Sequence, residues 1–131
     1  MSVRNIDKGI VYAPTDVQIQ YTGAASGTME IIYRVIGGFV FIFIPQFTFT
    51  VVNNTFLYFT LPPDVCLPSS TRVISIPHYH IYNTNALGTG SYIINISTGA
   101  VQMDSSNLTH NPFDIGKNYI IPDSTLTYML I

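Results

Sequence analysis

Residues 29–44 read MEIIYRVIGGFVFIFI, and this stretch decides the fold class. Because side chains alternate between the two faces of a β-strand, the apolar residues at every second position of its first half share one face. These are Met29, Ile31, Tyr33 and Val35. Gly37 and Gly38 then supply the positive φ angles that a two-residue hairpin turn needs. Residues 39–44 are apolar on both faces, which is typical of a central strand covered on two sides. The stretch therefore predicts a β-hairpin.

Alternating or apolar runs bounded by turn residues continue outward from this hairpin. They predict strands at residues 17–21, 47–51, 56–61, 73–82, 92–96, 100–103 and 126–131. Pro45 and Gln46 indicate a corner where a strand passes from one sheet to another. Pro77 is expected to break the strand that contains it, residues 83–90 to form a polar turn, and residues 104–123 to form a loop. The last strand is expected to be central and buried.

The chain shows no sustained helical period, so it is predicted to be all-β. The regular spacing of its strands favours a jelly-roll β-sandwich of about eight or nine antiparallel strands. Its 131 residues leave room for one domain. We expect this domain to span residues 17–131, with residues 1–16 forming an N-terminal arm or linker.

Charge is scarce in this chain. Charged residues make up 9% of it, against an average of about 25% in soluble domains, while aromatic residues reach 13%. With so few charges, we expect part of the surface to be buried against other copies of the chain. The net charge of -2 provides no basic footprint, which argues against a nucleic-acid partner.

Membrane insertion and export are also unexpected. Residues 1–8 read MSVRNIDK and contain no apolar core of a signal peptide. The most apolar stretch, residues 31–52, contains Arg34 and is broken at Pro45, whereas a bilayer span needs about 20 mostly apolar residues in a row. We therefore expect a soluble protein without a membrane span.

The sequence lacks the motifs that catalysis requires. Its seven acidic residues mostly adjoin turns or prolines, where Asp ordinarily caps the backbone. The only cysteine, Cys66, cannot form an intrachain disulfide and is expected to be buried or half-buried. We expect no catalytic residues and no enzymatic activity.

A candidate metal site is the sequence His78-Tyr79-His80. Residues two apart in a strand point the same way, so both imidazoles would project from one face. In a homotrimer with this strand at the axis, the imidazoles of all copies would suit an octahedral transition metal. The alternative is an exposed strand edge with no metal, in which Tyr79 and Ile81 point inward. Otherwise we expect no cofactor.

Candidate ligand-binding residues lie in two loops. His110 stands in a polar stretch with Asn107, Asn111 and Asp114, and Phe113 or Tyr119 could supply an aromatic ring beside a carbohydrate. Asn85 lies in the polar turn at residues 83–90. The alternative is that these are ordinary turn-rich loops.

Several runs resemble the small C-terminal head domains of phage and large DNA virus fibre proteins. They are YRVIGGFVFIFIP at 33–45, LPP at 61–63, GSYIIN at 90–95, STG at 97–99 and LTYML at 126–130. Such heads are trimeric jelly rolls like those of tumour necrosis factor and the complement globular heads. The resemblance implies a virion protein that attaches to a host glycan or protein receptor through its distal loops, residues 83–90 or 107–117.

The resemblance also implies a threefold interface lined by aromatic side chains. The candidates are Phe39, Phe41 and Phe43, or else the opposite face of the same strand, formed by Val40, Ile42 and Ile44.

Two other functions stay open. One is a secreted cytokine-like or complement-like ligand, which the N-terminal sequence does not favour. The other is a metal-dependent enzyme of the cupin type using His78, His80, His110 and an acid. Residues 82–85 supply no acid at the position that the cupin pattern requires.

Overall fold

The structure is a computed structural model that describes residues 14–83, 86–106 and 108–131. Its strands are β1 (Thr15–Gly23), β2 (Gly27–Ile36), β3 (Phe39–Ile44), β4 (Phe47–Thr50), β5 (Leu57–Thr60), β6 (Val73–Tyr82), β7 (Ala86–Asn95), β8 (Ala100–Met103), β9 (Asn118–Ile121) and β10 (Ser124–Met129). A short 3-10 helix, Pro63–Val65, follows β5. The predicted all-β class is confirmed. Most of the predicted N-terminal arm lies outside the described residues.

The strands form one antiparallel sheet that curls around the core. Their order is β10-β3-β2-β1-β5-β8-β7-β6-β9-β4, which makes ten strands in the described chain rather than eight or nine. The sheet bends at β1, whose first part pairs with β2 while Thr22 and Gly23 pair with β5. A curled sheet of this kind buries one face without a second layer. The two-layer jelly roll stays a prediction.

The bend predicted at Pro45 and Gln46 is confirmed, but it lies within the one curled sheet, and passage between two sheets stays a prediction. On one side of it Ile44 pairs with Ser124, and on the other side Phe47 pairs with Ile121, so the register is continuous across the bend. The ladder is interrupted because proline has no N–H to donate. A side chain replaces the missing backbone bond, since the Gln46 N–H donates to Asp123 Oδ1 at 2.8 Å. As a result β3–β4 and β9–β10 run side by side as two bent strands.

Alternation places one face of each strand in the core. In β2 the shared face that alternation predicts is the inward one, since Met29, Ile31 and Tyr33 are buried and Val35 is half-buried. In β3 the residues Val40, Ile42 and Ile44 are fully buried, while the phenylalanines between them point outward. The largest fully buried side chains also include Tyr92, Phe113, Leu57 and Met103. Each such side chain stabilises the fold by roughly 1.5–3 kcal/mol through burial.

Four local predictions are wrong. Residues 118–121, expected to belong to a loop, form β9, which pairs with β4 and β6. Residues 86–90 belong to β7 rather than to a turn, since their glycines make room for side chains of β6. Pro77 lies inside a continuous β6 rather than at a break. On one side of β6, strand β9 pairs only with Ile81 and Tyr82, which leaves the edge at Pro77 free. The missing N–H of proline therefore breaks no ladder there. The final strand, β10, lies at the edge of the sheet order rather than at its centre.

The described part of the chain holds no helix with the length and apolar character of a membrane span.

Candidate functional sites

Several connections meet at one end of the curled sheet, which we call the loop end: residues 24–26, 51–56 and 83, and the β8–β9 loop at 104–106 and 108–117. Backbone hydrogen bonds join them, with Val52 N–H donating to the Ala24 carbonyl at 2.7 Å and Phe113 N–H donating to the Thr55 carbonyl at 3.0 Å. The Asn83 N–H donates to the Asn118 carbonyl at 3.0 Å, which brings the β6–β7 connection to the same end. The β2–β3 turn at Gly37 and Gly38 lies at the opposite end, which we call the hairpin end.

A buried carboxylate organises the β8–β9 loop. Asp104 is fully buried; its Oδ1 accepts the Ser91 N–H at 2.7 Å, and its Oδ2 lies 2.6 Å from Nδ1 of His110. His110 adopts a φ of 52°, a left-handed conformation that suits a tight turn. The buried Asp104 carboxylate therefore holds the half-exposed His110 imidazole in one orientation.

Three of the predicted ligand-binding residues lie exposed in this loop, whereas the aromatic residues predicted to act with them are buried in the core. His110, Asn111 and Asp114 are exposed, and Asp114 pairs with Lys117 at 3.0 Å. Their polar groups can form hydrogen bonds with a bound molecule. The expected aromatic partners are wrong, because Phe113 and Tyr119 are buried and pack edge-to-face on each other with ring centroids 4.8 Å apart. Asn85 and Asn107, also predicted to bind ligand, lie outside the described residues.

His78 and His80 project from the same face of β6, as their spacing predicts, but this face is the interior. They are 3% and 2% exposed, whereas Tyr79 between them is 76% exposed. The alternative of an exposed edge with Tyr79 inward is therefore wrong. The ring centroids of the two histidines are 5.4 Å apart, and the His78 ring packs against Tyr92 at 5.0 Å.

Two glycines of β7 make room for these imidazoles. His78 pairs with Gly90, and His80 pairs with Gly88. A Cβ at Gly88 would lie 2.4 Å from His80 Nε2, and a Cβ at Gly90 would lie 2.6 Å from the His78 ring and 2.2 Å from the Asp104 carbonyl oxygen. The sequence carries this signal as HYH at 78–80 followed by GTG at 88–90, and the interpretation of the glycines as turn residues missed it.

Burial keeps both imidazoles neutral at neutral pH. Desolvation lowers the pKa of His78, whose Nε2 lies 3.1 Å from the Asp104 carbonyl oxygen. Desolvation, together with the nearby His78 and Lys117, lowers the pKa of His80 to about 4. The buried Nδ1 of His80 has no hydrogen-bond partner in the described structure. A proton on His80 would therefore be a charge without a counter-ion.

The predicted metal ligands His78, His80 and His110 are not arranged as either the threefold-axis site or the cupin-type centre requires. A site on a threefold axis needs imidazoles at the surface of each chain, and these rings face the interior. A cupin-type centre needs His78, His80 and His110 around one ion, but Nδ1 of His110 is bonded to Asp104 instead. Within the described residues, no group of at least three His, Cys, Asp or Glu side chains is placed to hold a metal ion.

The outer surface of β3, with the adjoining parts of β2 and β10, exposes a row of aromatic side chains, and we call it the aromatic face. Its centre is formed by Phe39, Phe41 and Phe43, which are 48%, 38% and 38% exposed. Neighbouring strands add further apolar side chains in register: Ile32, Ile36 and Met129. The Arg34 guanidinium lies 6.0 Å from the centre of the Phe41 ring. The alternative interface of Val40, Ile42 and Ile44 is wrong, because these residues are fully buried within one chain.

A small pocket, which sequence reasoning missed, opens between β6 residues 77–79 and the β9–β10 corner at residues 122–125. We call it the edge slot, and its volume is about 190 Å³. At one end of the slot Ile81 of β6 pairs with Ile120 of β9. Farther along the same gap, outside the residues that line the slot, the Arg72 guanidinium donates to the Met129 carbonyl of β10. No sequence pattern marks the slot, because it exists only where two distant strands diverge.

Comparison with known proteins identifies a similar fold but no family. No protein-family model and no curated protein sequence matches this chain. Among solved structures, the chain is similar to the reovirus attachment protein sigma1, whose crystal structure contains α-2,3-sialyllactose. The TM-score is 0.58 at 12% sequence identity, and the match covers 88% of this chain and 63% of the reovirus chain. At this identity the similarity shows that the two chains share a fold.

Proposed function

We propose that this chain is the head domain of a viral attachment protein, a non-enzymatic component of the virion that binds a host receptor. The observation that carries the proposal is the fold, which is similar to that of reovirus sigma1 over 88% of this chain. Fold alone does not determine function. The proposal therefore also rests on two surfaces of the molecule, the loop end and the aromatic face.

The loop end supports a role in binding. The first residues of β1 and the last residues of β10 lie at the hairpin end, where Thr15 pairs with Tyr33 and Met129 pairs with Phe39. A head held at that end presents the loop end outward. His110, Asn111 and Asp114 would then face a receptor, either a glycan or a protein.

The aromatic face supports assembly into a homotrimer. Aromatic side chains are enriched in protein interfaces, and soluble monomers rarely leave a continuous apolar patch in water. The partner is another copy of this chain, because the chain carries few charges and a row of phenylalanines flanked by Ile32, Ile36 and Met129 can pack against the same row of a second copy. The Arg34 guanidinium, which lies over Phe41 near the centre of the face, would be part of this interface.

A glycan array tests the proposal. The purified chain, labelled and applied at its natural oligomeric state, should bind at least one class of cell-surface glycan. The double variant His110→Ala, Asn111→Ala removes polar groups from the loop end and should reduce receptor binding, while Thr48→Ala on the outer face of β4 should not. A chain that binds neither an arrayed glycan nor any cultured cell type would contradict an attachment role.

A further inference from the structure

The edge slot has the size and closure of a small-ligand site. Its volume of about 190 Å³ lies below the roughly 300–1,000 Å³ of pockets for drug-sized ligands, so it admits one sugar-sized ring rather than a chain. Strand pairing of Ile81 with Ile120 closes one end.

A peptide strand is a poor occupant of this slot. A strand that adds to a sheet edge needs a run of free N–H and C=O groups. Pro77 lies in the middle of the free edge of β6 and has no N–H. Of β6, only residues 77–79 line the slot. The geometry therefore favours a compact ligand over an extended chain.

The groups around the slot match the two sides of a sugar ring. Tyr79, which is 76% exposed, and the neighbouring Pro77 provide an apolar surface. On the opposite wall, Asp123, Ser124 and Thr125 provide a carboxylate and hydroxyl groups. The Ser124 hydroxyl donates to the Pro122 carbonyl and accepts from the Tyr92 hydroxyl, so it offers a ligand one acceptor lone pair. Asp123 uses Oδ1 to accept the Gln46 N–H, and a carboxylate has further lone pairs for the hydroxyl donors of a ligand.

The charge of the slot selects among saccharides. Asp123 contributes a negative charge, and no Arg or Lys is among the described residues that line the slot. An acidic sugar would place its carboxylate near that of Asp123 without a cation to offset the repulsion. A neutral saccharide meets no such cost.

We propose that the edge slot binds a neutral saccharide, with one ring against Tyr79 and its hydroxyl groups on Asp123 and Ser124. This site goes beyond the proposed function, because it lies on the side of the sheet and does not involve the loop end. Thr125 lines both the slot and the groove over Phe41 and Phe43, so the saccharide would bind next to the aromatic face.

Saturation-transfer difference NMR on the purified full chain tests this inference, with the methyl glycosides of galactose, glucose, N-acetylglucosamine and fucose as neutral probes. α-2,3-Sialyllactose is the acidic probe. We expect saturation transfer to at least one neutral glycoside and none to the sialic acid ring. Tyr79→Ala should weaken binding of that glycoside by about tenfold, the loss expected when an aromatic contact is removed.

Two further variants keep the result interpretable. Asp123→Asn preserves an acceptor for the Gln46 N–H but removes the charge, and it should reduce the preference for neutral over acidic probes. Leu87→Ala, which truncates a side chain that is 79% exposed on the same hairpin, should bind like the wild type. Absence of transfer to all four neutral glycosides, or equal binding by wild type and Tyr79→Ala, would overturn the inference. Receptor binding lost in the loop-end variant but unchanged in Tyr79→Ala would leave the proposed function standing without the slot.

Discussion

Acidification should destabilise this protein through His80. The imidazole is 2% exposed and its Nδ1 has no partner in the described structure, so the folded chain resists its protonation. In the unfolded chain the same group takes up a proton below pH 6.5, whereas in the folded chain its pKa is lowered to about 4. The contribution of His80 to stability is therefore complete above pH 6.5. It is lost as the pH falls from 6.5 to 4.

The size of the effect follows from the pKa shift. Each pH unit between 6.5 and about 4 costs about 1.4 kcal/mol, so the total loss from His80 is about 3 kcal/mol. Domains of this size are stable by about 5–15 kcal/mol, so the loss is a large share of the total. The pKa of His78 is also lowered by burial, so this second histidine acts in the same direction.

Urea unfolding at pH 7.0, 5.5 and 4.2 measures this loss directly. His80→Phe places a ring that cannot be protonated in the same space beside Gly88, and it should remove most of the His80 share of the acid-dependent loss. Leu87→Ala, an exposed substitution in the same hairpin, should keep the wild-type pH dependence. If wild type and His80→Phe lost equal free energy of unfolding between pH 7.0 and 4.2, the reasoning about His80 would be refuted.

The remaining predictions concern packing and assembly. Gly90→Ala forces a Cβ to within 2.2 Å of the Asp104 carbonyl oxygen, so thermal unfolding should show a loss of about 1–3 kcal/mol; an unchanged melting temperature would contradict the fit of His78 over Gly90. Asp104→Ala leaves the buried Ser91 N–H without its acceptor and should cost about 1–3 kcal/mol, and NMR should show a mobile His110 ring; an ordered ring would argue against this anchor. Phe41→Asp places a charge in the aromatic face and should give monomeric or insoluble protein by sizing-column light scattering, whereas an intact trimer would remove this strand from the interface.

Strand rhythm was sufficient to predict the fold class and much of the strand placement. The hairpin at Gly37 and Gly38 and the corner at Pro45 were predictable because local chemistry sets both: glycine tolerates positive φ, and proline cannot donate to a ladder. The same reasoning gave a wrong prediction for the glycines of β7. Gly88 and Gly90 are required by the imidazoles that pack on them, and a turn rule contains no information on a partner strand.

The candidate sites were also predictable only in part. The outward direction of Phe39, Phe41 and Phe43 follows from alternation once the inward face is known, but alternation alone left both faces of β3 open. The inward direction of His78 and His80 was not predictable, since polar residues usually face water and only the surrounding packing shows that they are buried. The edge slot depends on the divergence of β6 from β9, which is a property of the whole sheet.

The molar mass in solution tests the trimeric head most directly. Multi-angle light scattering behind a sizing column, at neutral pH and over a tenfold range of concentration, gives this mass without reference to shape. The account predicts three chains of 14.5 kDa each. A mass of one chain at every concentration would contradict it, and would show that the aromatic face is left exposed to water.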